Sequence, residues 1–408
     1  MRSLRSGQRP GITVNDYAGH PFQIELSREL ADRGYATNHL FCNTNVTPRA
    51  DLAERDDLLD IRGLSTGSGF DKYNSRKRLL AETRYGLKSA WLLIRQRPAV
   101  TVLSNVPVVS LLIIQAAAFA SRTRTVLWLQ DLQSGLAAVA LGASTHPVAR
   151  ALRWLERRAI RQAGAVITIS EAFAGEVLSM GVDEDQITTI ENWAPLRDLP
   201  TRPRHNAWAR SHGLTDRLVF LYSGTLGIKH RPAALIELAH ELAVSEPSAR
   251  IVVVSEGVGA DWLRDRLQAE PGLENMLLLP FQPFADLPDV MASADVLIAL
   301  LEQEAGRYCV PSKVLSYLCA GRPVLGYMPS ENPASALIST RAEAGLATDA
   351  LDVLLKDALL LAGDPNLRRE LGDAGRRWAE ANFSIGPIAD RFVEVLDVRR
   401  PEGESRTS

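Results

Sequence analysis

One predicted helix start in the second half of the chain combines residue types that bind phosphate groups. Pro311 lies where the helix is predicted to begin, and Gly321 lies where it ends, just before a buried strand. Ser312 and Lys313 therefore lie at a helix N-terminus. Unpaired backbone N–H groups and the helix dipole favour an anion there, and Lys313 adds a full positive charge. A capped helix with an exposed lysine accounts equally well for this spacing.

A second loop with similar chemistry follows the predicted strand Leu218–Tyr222. It contains Gly224, Thr225, Gly227 and Lys229. Small residues let the backbone approach a ligand closely, and a lysine can neutralise a phosphate. The loop is not a P-loop, since the spacing GxxxxGK[ST] is absent, and a lone glycine turn is more often structural. Two such loops in one half of the chain together predict a site for a diphosphate.

Dinucleotide and metal sites are the competing interpretations. Gly257 and Gly259 follow a predicted strand, but Trp262 occupies the third glycine position of the dinucleotide fingerprint. The first strand also lacks that spacing, so a nicotinamide or flavin enzyme is disfavoured. The stretch Asp183-Glu-Asp185 has the form of an Asp-x-Asp metal site but lies in a predicted helix-to-strand turn. We interpret it as solvated surface and expect no metal site.

The composition bounds the class of protein. The chain has 408 residues, a length that suggests two domains of ordinary size or three small ones. Its residues are 46% apolar and 23% charged, as is typical of a soluble globular protein. The net charge of −2 gives no general excess for binding nucleic acid. Cys42, Cys309 and Cys319 cannot build a disulfide framework, which favours a reducing compartment. The basic start Met1–Arg5 is not followed by an apolar region, so no signal peptide is predicted.

Short apolar runs alternate with helical patterns along the whole chain, as in βαβ units with parallel sheets. Residues 194–217 interrupt this alternation with a segment that is rich in proline and charge and has no period, which indicates a domain boundary. We therefore predict an N-terminal domain over residues 1–195, a C-terminal domain over 196–383, a helix over 384–398 that returns to the N-terminal domain, and a polar tail over 399–408. The predicted strands are Ile12–Val14, Val100–Leu103, Thr125–Leu129, Ala165–Ile169, Ile187–Ile190, Leu218–Tyr222, Ile251–Val254, Met276–Leu279, Val296–Leu300 and Val324–Tyr327.

The stretch Ala99–Ala120 contains no charged residue and is long enough to span a bilayer. It is interrupted by Ser104–Pro107, however, and arginines flank it on both sides, so the flanking charges give it no orientation. A buried strand followed by a helix that opens at Pro107 is the better interpretation.

The motifs together resemble the GT-B glycosyltransferases, specifically the retaining glycosyltransferase family 4. The resemblance extends over nearly the whole chain, and its Pro-Ser-Lys variant is most similar to the branch that builds bacterial surface polysaccharides. The matching stretches are Ala165–Ser170 with Gly181-Val-Asp, Thr189–Trp193, Tyr222–Gly227, Ala294–Val296, and Pro311-Ser-Lys313 with Gly321–Val324.

This resemblance implies an α/β protein of the GT-B fold, with two Rossmann-like, doubly wound parallel-sheet domains that face each other across a cleft. It implies an enzyme that transfers a sugar, with retention, from a nucleotide diphosphate sugar to a glycan or polyprenyl-linked acceptor. The nucleotide sugar is a co-substrate, and neither a cofactor nor a metal is implied. Two alternatives remain open: a sugar-nucleotide epimerase or hydrolase on the same scaffold, and a non-catalytic nucleotide-sugar-binding partner.

The resemblance also assigns donor binding to the two loops of the C-terminal domain. The residues that match the family's diphosphate-binding loop and helix start are Gly224, Thr225, Lys229, Pro311, Ser312 and Lys313. Many members carry Glu-x7-Glu as well, and its second acid holds ribose hydroxyls. Here these two positions hold Tyr308 and Ser316, so both acids are absent.

The N-terminal half is expected to bind the acceptor and to supply catalytic side chains. Asp131 follows a buried strand, where family members carry an Asp or His near the sugar, and His20 follows the first strand. The alternative for Asp131 is an ordinary turn acid. The alternative for His20 is a surface loop residue that precedes Pro21 in a turn.

Two basic segments suggest contact with a membrane. Residues 72–97 are basic and aromatic, with apolar residues at helical spacing, and residues 150–161 surround Trp154 with arginines. Such helices can dock on anionic lipid, which predicts a cytoplasmic protein at the inner face of the cell membrane. An ordinary solvated helix face is the alternative.

Overall fold

The computed structural model describes residues 11–43, 56–67, 75–134, 146–227, 230–302 and 312–398. The chain divides into two compact units. The first unit contains the residues up to Asn192 together with those from Ile385 onward, and the second contains Trp193–Ser384. The division after Asn192 lies close to the boundary expected at residue 195.

The first unit is built on a seven-stranded sheet in which every pair of neighbouring strands is parallel. The strand order is β3-β2-β1-β4-β5-β6-β7. The carboxyl ends of all these strands therefore lie along one edge, where ligands of doubly wound sheets bind. The strands are β1 (Ile12–Asp16), β2 (Thr37–Cys42), β3 (Leu59–Leu64), β4 (Val100–Ser104), β5 (Arg124–Leu129), β6 (Ala165–Thr168) and β7 (Ile187–Thr189).

The helices of the first unit begin and end where local chemistry requires. The first helix starts at Pro21, whose fixed φ suits a first turn, and it stops before Gly34, which has φ +92°. The Ser170 hydroxyl accepts a hydrogen bond from the Phe173 N–H at 3.3 Å and so caps the fifth helix, as its sequence position predicts. The helices are α1 (Pro21–Asp32), α2 (Ser75–Gln96), α3 (Val108–Ser121), α4 (Pro147–Arg161), α5 (Glu171–Ser179) and α14 (Ile385–Leu396).

The uncharged stretch over residues 99–120 forms strand β4 and most of helix α3, and Pro107 directly precedes the first residue of α3. The interpretation as a strand and a helix is therefore confirmed. Within the described parts of the chain, no helix combines the length and the apolar character that crossing a bilayer requires.

The last helix, α14, belongs to the first unit although it follows the second in sequence. Its Phe392 is fully buried, and its ring centroid lies 4.7 Å from that of Trp128 in β5. The Arg124 guanidinium donates to the carbonyls of Val395 and Leu396 at 2.8 and 3.0 Å, which satisfies groups left unpaired at a helix end. Arg33, which directly follows α1, forms an ion pair with Asp390.

The second unit has a six-stranded parallel sheet in the order β10-β9-β8-β11-β12-β13. Its strands are β8 (Leu218–Ser223), β9 (Ala249–Val254), β10 (Met276–Leu279), β11 (Val296–Leu300), β12 (Val324–Tyr327) and β13 (Gly345–Thr348). Its helices are α6 (Ala207–Ser211), α7 (Ala233–Ser245), α8 (Val258–Ala269), α9 (Leu287–Ala292), α10 (Lys313–Ala320), α11 (Pro333–Ala336), α12 (Leu351–Gly363) and α13 (Pro365–Asn382).

Asp295, from a stretch that matches the family, ties the start of β11 to its surroundings. Its carboxylate accepts from the Arg204 guanidinium at 2.9 Å and from the Val219 N–H of β8 at 2.8 Å. This carboxylate therefore stabilises the fold of the second unit at the amino end of its sheet, which is the end opposite to the candidate loops.

Three strands were not predicted from the sequence: β2, β3 and β13. Strand β2 is buried along its whole length although it contains Asn38 and His39, whose polarity concealed it. Strands β3 and β13 lie at the outer edges of their sheets, where few apolar residues are needed.

Candidate functional site

The glycine loop after β8 is held in place by bonds to its backbone. Gly224 has φ +129°, a conformation that residues with a side chain rarely adopt, and its N–H donates to the Val254 carbonyl at 3.0 Å. The Tyr317 hydroxyl accepts from the Ser223 N–H at 2.9 Å and donates to the Ser223 carbonyl at 3.0 Å. Helix α10, which carries Tyr317, thus clamps the residue from which the loop departs.

Lys313 lies at the first position of α10 and reaches this loop. Its ammonium group donates to the Tyr222 hydroxyl and lies 3.7 Å from the centroid of the Tyr222 ring. A Cβ placed on Gly224 would lie 3.5 Å from the Lys313 Nζ, which is an ordinary van der Waals distance, so Lys313 lies directly beside this glycine. The Tyr222 hydroxyl in turn donates to the Thr225 carbonyl at 2.9 Å. The two predicted phosphate-binding segments are therefore brought together through one tyrosine.

Burial raises the pKa of Tyr222 well above its ordinary value. The phenol therefore stays neutral and can accept a hydrogen bond from the ammonium while it donates to the Thr225 carbonyl. A neutral phenol does not itself cancel the positive charge of Lys313.

The remaining predicted donor residues divide into two groups. Ser312 is exposed and directly precedes α10, and Ser316 is half-buried three residues after Lys313, so Ser316 and Lys313 lie on the same side of the helix. Lys229, Tyr308 and Pro311 lie outside the described residues. Their assignment to donor binding stays a prediction.

The glycine loop also packs on the start of α8. The Gly259 N–H donates to the Leu226 carbonyl at 2.9 Å, and the Leu226 N–H donates to the Glu256 carbonyl at 3.2 Å. A Cβ on Gly259 would lie 2.8 Å from the Leu226 carbonyl oxygen, closer than side-chain carbons approach a backbone oxygen. Gly257 and Gly259 therefore serve close packing of two backbones and not a dinucleotide fingerprint.

We expect Gly259→Ala to move the loop at Leu226 and so to weaken binding of a nucleoside diphosphate about tenfold, with a loss of about 1–3 kcal/mol in unfolding free energy from overpacking. Calorimetric titration with UDP and GDP, together with denaturant unfolding, measures both effects. Gly175→Ala is the matched control, since a Cβ at this helical glycine meets nothing within 4 Å. That control should keep its affinity and gain about 0.5–1 kcal/mol. Unchanged affinity in Gly259→Ala would contradict the assigned role of the loop.

Arg231 is a basic residue near this loop that sequence reasoning did not select. Its guanidinium donates to the Tyr327 hydroxyl at 2.6 Å and lies 5.3 Å from the Tyr327 ring centroid. Tyr327 ends β12, so Arg231 brings a second cation to the carboxyl edge of this sheet. Its position in the sequence, a few residues after the glycine loop, was the signal from which Arg231 could have been selected as a candidate.

In the first unit, His20 is fixed by a buried acid at the end of β1. The Asp16 side chain is fully buried, and its carboxylate accepts from the Ala18 N–H at 3.2 Å, from the His20 N–H, and from the His20 Nδ1 at 2.9 Å. The His20 side chain is 32% exposed. Because Nδ1 faces Asp16, Nε2 is the ring nitrogen left to face solvent or a ligand.

Asp131 lies on a loop after β5 that is anchored at several points. The buried Glu156 carboxylate accepts from the backbone N–H groups of Gln133 and Ser134 at 2.8 and 3.2 Å. The side-chain amides of Gln130 and Asn192 bond each other twice, at 3.0 and 2.5 Å. Sequence reasoning missed these anchors, because nothing in the spacing of Glu156 links it to the loop.

The two predicted catalytic residues interact electrostatically. Burial lowers the pKa of His20, but the attraction of Asp16, its hydrogen bond and the attraction of Asp131 together raise that pKa above the ordinary value. Since β1 and β5 are separated only by β4 in a parallel sheet, His20 and Asp131 both lie at its carboxyl edge. The site can present a cationic imidazole beside a carboxylate.

Across the described ranges, no three His, Cys, Asp or Glu side chains are grouped as metal ligands would be. Asp183 and Asp185 are exposed, as expected for solvated surface.

Two Rossmann-like units, each with a parallel sheet and helices on its faces, define the GT-B fold. A solved structure of HepE from Anabaena in complex with UDP and glucose has this fold, with a TM-score of 0.70 and 16% identity over 95% of this chain and 100% of that one. The family model of the glycosyl transferase 4-like domain matches residues 23–193, and that of the glycosyl transferases group 1 matches residues 205–378. The chain therefore belongs to the GT-B glycosyltransferases, as the sequence motifs indicated.

The curated relatives match only part of the chain. An alpha-D-kanosaminyltransferase of Streptomyces kanamyceticus is 20% identical over 255 residues, which are 62% of this chain and 64% of that protein. A GDP-mannose-dependent phosphatidylinositol monomannoside mannosyltransferase of Mycolicibacterium smegmatis is 28% identical over 234 residues, 55% of this chain and 56% of that protein. The chain thus spans less than two thirds of the curated relatives that it matches.

Proposed function

We propose that this protein is a retaining glycosyltransferase that moves a sugar from a nucleotide diphosphate sugar to a hydroxyl group. The observation that carries this proposal is the convergence of Lys313, the start of α10 and the glycine loop on one place through Tyr222. A leaving diphosphate gains negative charge in the transition state, and preorganised cations and N–H groups stabilise it there. Since Lys313 can supply this charge, no metal is needed in the proposed reaction.

The proposed role of the first unit is to bind the acceptor. In a front-face reaction the departing diphosphate helps to deprotonate the acceptor hydroxyl, so the protein mainly positions the reactants. His20, held by Asp16, and Asp131, on its anchored loop, are the residues that we assign to orienting that hydroxyl and the sugar. A strong base is not required in such a reaction, and a raised pKa keeps His20 protonated to a higher pH, so that its imidazolium can donate a hydrogen bond to the reactants.

We infer that the acceptor is a glycan or a polyprenyl-linked precursor of a bacterial surface polysaccharide. The names of relatives support a lipid-linked acceptor and a nucleotide donor: one is a GDP-mannose-dependent mannosyltransferase that acts on a phosphatidylinositol mannoside, and the HepE structure holds UDP. A lipid-linked acceptor would bring a cytoplasmic protein to the inner face of the cell membrane.

A thermal-shift panel of nucleoside diphosphates and their sugars tests the donor site, because a bound donor raises Tm by mass action. We expect one nucleotide family to raise Tm in the wild type and not in Lys313→Met. Product analysis with the stabilising donor, with and without glycan acceptors, then tests transfer. Turnover of donor without acceptor would instead indicate an epimerase or hydrolase, and binding without any turnover would favour a non-catalytic partner.

A further inference from the structure

Every exposed side chain that the structure describes on α2 is either large and apolar or basic. An ordinary solvated helix face mixes acidic and neutral polar residues among its basic ones, and this face does not. The apolar side chains are between 49% and 58% exposed. The apolar members are Leu79, Leu80, Leu87, Trp91 and Ile94, and the basic members are Lys77, Arg78, Arg84, Lys88 and Arg95.

This pattern continues onto two neighbouring helices. Helix α3 packs against both α2 and α4, so the three form one layer. Phe119 of α3 is 89% exposed, and Trp154 of α4 is 63% exposed. Among the described residues of the first unit, eight of the nine exposed large apolar side chains lie on this layer, which makes chance scatter a poor explanation. The exposed residues of α4 are Pro147, Val148, Ala151 and Trp154 together with Arg150, Arg153, Arg157, Arg158 and Arg161. We call the outer surface of these three helices the α2–α3–α4 face.

The acids of these three helices are turned away from that face. Glu82 and Glu156 are 8% and 5% exposed. Glu82 accepts from Arg78 at 2.8 Å, and Glu156 holds the loop of Asp131. Ten basic side chains are therefore exposed on the α2–α3–α4 face without an exposed acid between them, in a chain whose net charge is −2.

The apolar residues of α2 form a line and not a groove. Leu80, Leu87, Trp91 and Ile94 recur at intervals of seven, four and three, so they lie along one side of the helix over about 21 Å. The Arg95 guanidinium lies 5.3 Å from the centroid of the Trp91 ring. Tryptophan favours the level of lipid headgroups, and arginine and lysine can cover apolar surface with their stems while their charges stay in water.

We propose that the α2–α3–α4 face docks on an anionic lipid bilayer, with the apolar line in the headgroup boundary and the cations on lipid phosphates. Both contributions are needed for stable binding at an interface, and both are present on this face. The proposal deepens the proposed function by naming the surface that would meet a lipid-linked acceptor. Only the biological role of the docking rests on the proposed function, because vesicle binding itself does not depend on sugar transfer.

Flotation of the full chain with vesicles tests the proposal. Vesicles of phosphatidylcholine alone are compared with an equimolar mixture of phosphatidylcholine and phosphatidylglycerol. We expect binding to the mixture only, weakened by added salt. Leu87→Ser/Trp91→Ser/Ile94→Ser should abolish it. Lys77→Gln/Arg95→Gln/Arg153→Gln should weaken it by about fivefold for each charge removed.

The matched controls lie in the second unit. Val244→Ser/Trp262→Ser/Leu360→Ser removes three exposed apolar side chains, and Arg264→Gln/Arg266→Gln/Lys356→Gln removes three exposed charges. Both should bind vesicles like the wild type. Equal binding of the wild type to neutral and anionic vesicles would overturn the proposal. So would a loss of vesicle binding in the control variants as large as that in the variants of the α2–α3–α4 face. A change of oligomeric state in the α2 variants, seen by light scattering without any vesicle binding by the wild type, would assign the face to a second copy of the chain instead.

The same samples, titrated with the stabilising nucleoside diphosphate, keep this test separate from that of the donor site. We expect the α2 variants to bind nucleotide like the wild type, because the changes lie in the other unit. Vesicle binding without nucleotide binding would contradict the proposed function and leave the docking surface standing.

Discussion

Lys313→Met is expected to lower kcat/KM for sugar transfer by about 10²–10³-fold, the usual effect of removing one preorganised group that stabilises transition-state charge. The change keeps the apolar stem of the side chain and removes the ammonium that lies against Tyr222 and Gly224. Steady-state kinetics with the donor found in the thermal-shift panel measures the loss. The rise in Tm that this donor causes should disappear as well.

Two further variants separate charge from position at this site. Tyr222→Phe keeps the ring and removes the hydroxyl that holds both the ammonium and the Thr225 carbonyl. Because the charge remains, we expect a smaller loss than in Lys313→Met. Lys356→Met is the control, since this lysine is 73% exposed on α12 and should have no effect on kinetics. Wild-type kcat/KM in Lys313→Met would remove the basis of the proposed function.

Asp16→Asn is expected to lower the free energy of unfolding by about 2–4 kcal/mol, in the range of losses that follow removal of one member of a buried charged pair. The carboxylate receives three donors from the loop that ends at His20. An asparagine offers one oxygen to them and turns an amide NH₂ group toward the rest. Denaturant unfolding of the variant and the wild type measures the loss, and transfer should fall because His20 loses its position.

The pH dependence of this loss has a defined sign. Burial alone would raise the pKa of Asp16, but its attraction to His20 and their hydrogen bond lower it below 3.8. Its stabilising contribution is complete above pH 3.8 and is lost as the pH falls through the folded-state pKa. The pKa of His20 is raised above 6.5, so its contribution is complete below pH 6.5 and is lost as the pH rises through that higher pKa. The stability difference between wild type and Asp16→Asn should therefore be largest between pH 3.8 and 6.5.

Titration of His20 by NMR provides the control for this interpretation. Asp16→Asn should lower the pKa of His20, and Asp131→Asn should lower it less, since Asp16 contributes more than Asp131 to the raised pKa. A His20 pKa that does not move in Asp16→Asn would show that the acid has only a structural role.

Most of the fold could be predicted because the buried strands are continuous apolar runs, and proline and glycine mark the helix ends. Strand β2 was not predicted because its polar residues are buried against partners elsewhere in the unit, although Asn38 Oδ1 and His39 Nε2 have no hydrogen-bond partner among the described residues. The Ser27 hydroxyl bonds His39 Nδ1 at 2.8 Å, and burial lowers the pKa of His39 to about 4, so the ring is neutral. Asn38 donates to the Gln96 side chain at 3.3 Å. Partners this far away in sequence cannot be read from local spacing.

The candidate site was predicted unevenly for the same reason. Lys313 and the glycine loop follow local rules for helix starts and turns, which the sequence displays. The residues that position them, Tyr222 and Tyr317, lie on a strand and a helix 95 residues apart and contact each other's loops only in the folded unit. Asp16 was overlooked as well, although an acid four residues before His20 at a strand end was a usable signal.

The return of α14 to the first unit has a consequence for synthesis on the ribosome. Phe392 completes the packing around Trp128, and the last turn of α14 supplies the carbonyls that bind Arg124. Translation runs from the N-terminus, so residues 193–384 are all polymerised before these partners exist. The core of the first unit can therefore be completed only after the second unit has been fully synthesised, although synthesis of the first unit starts earlier.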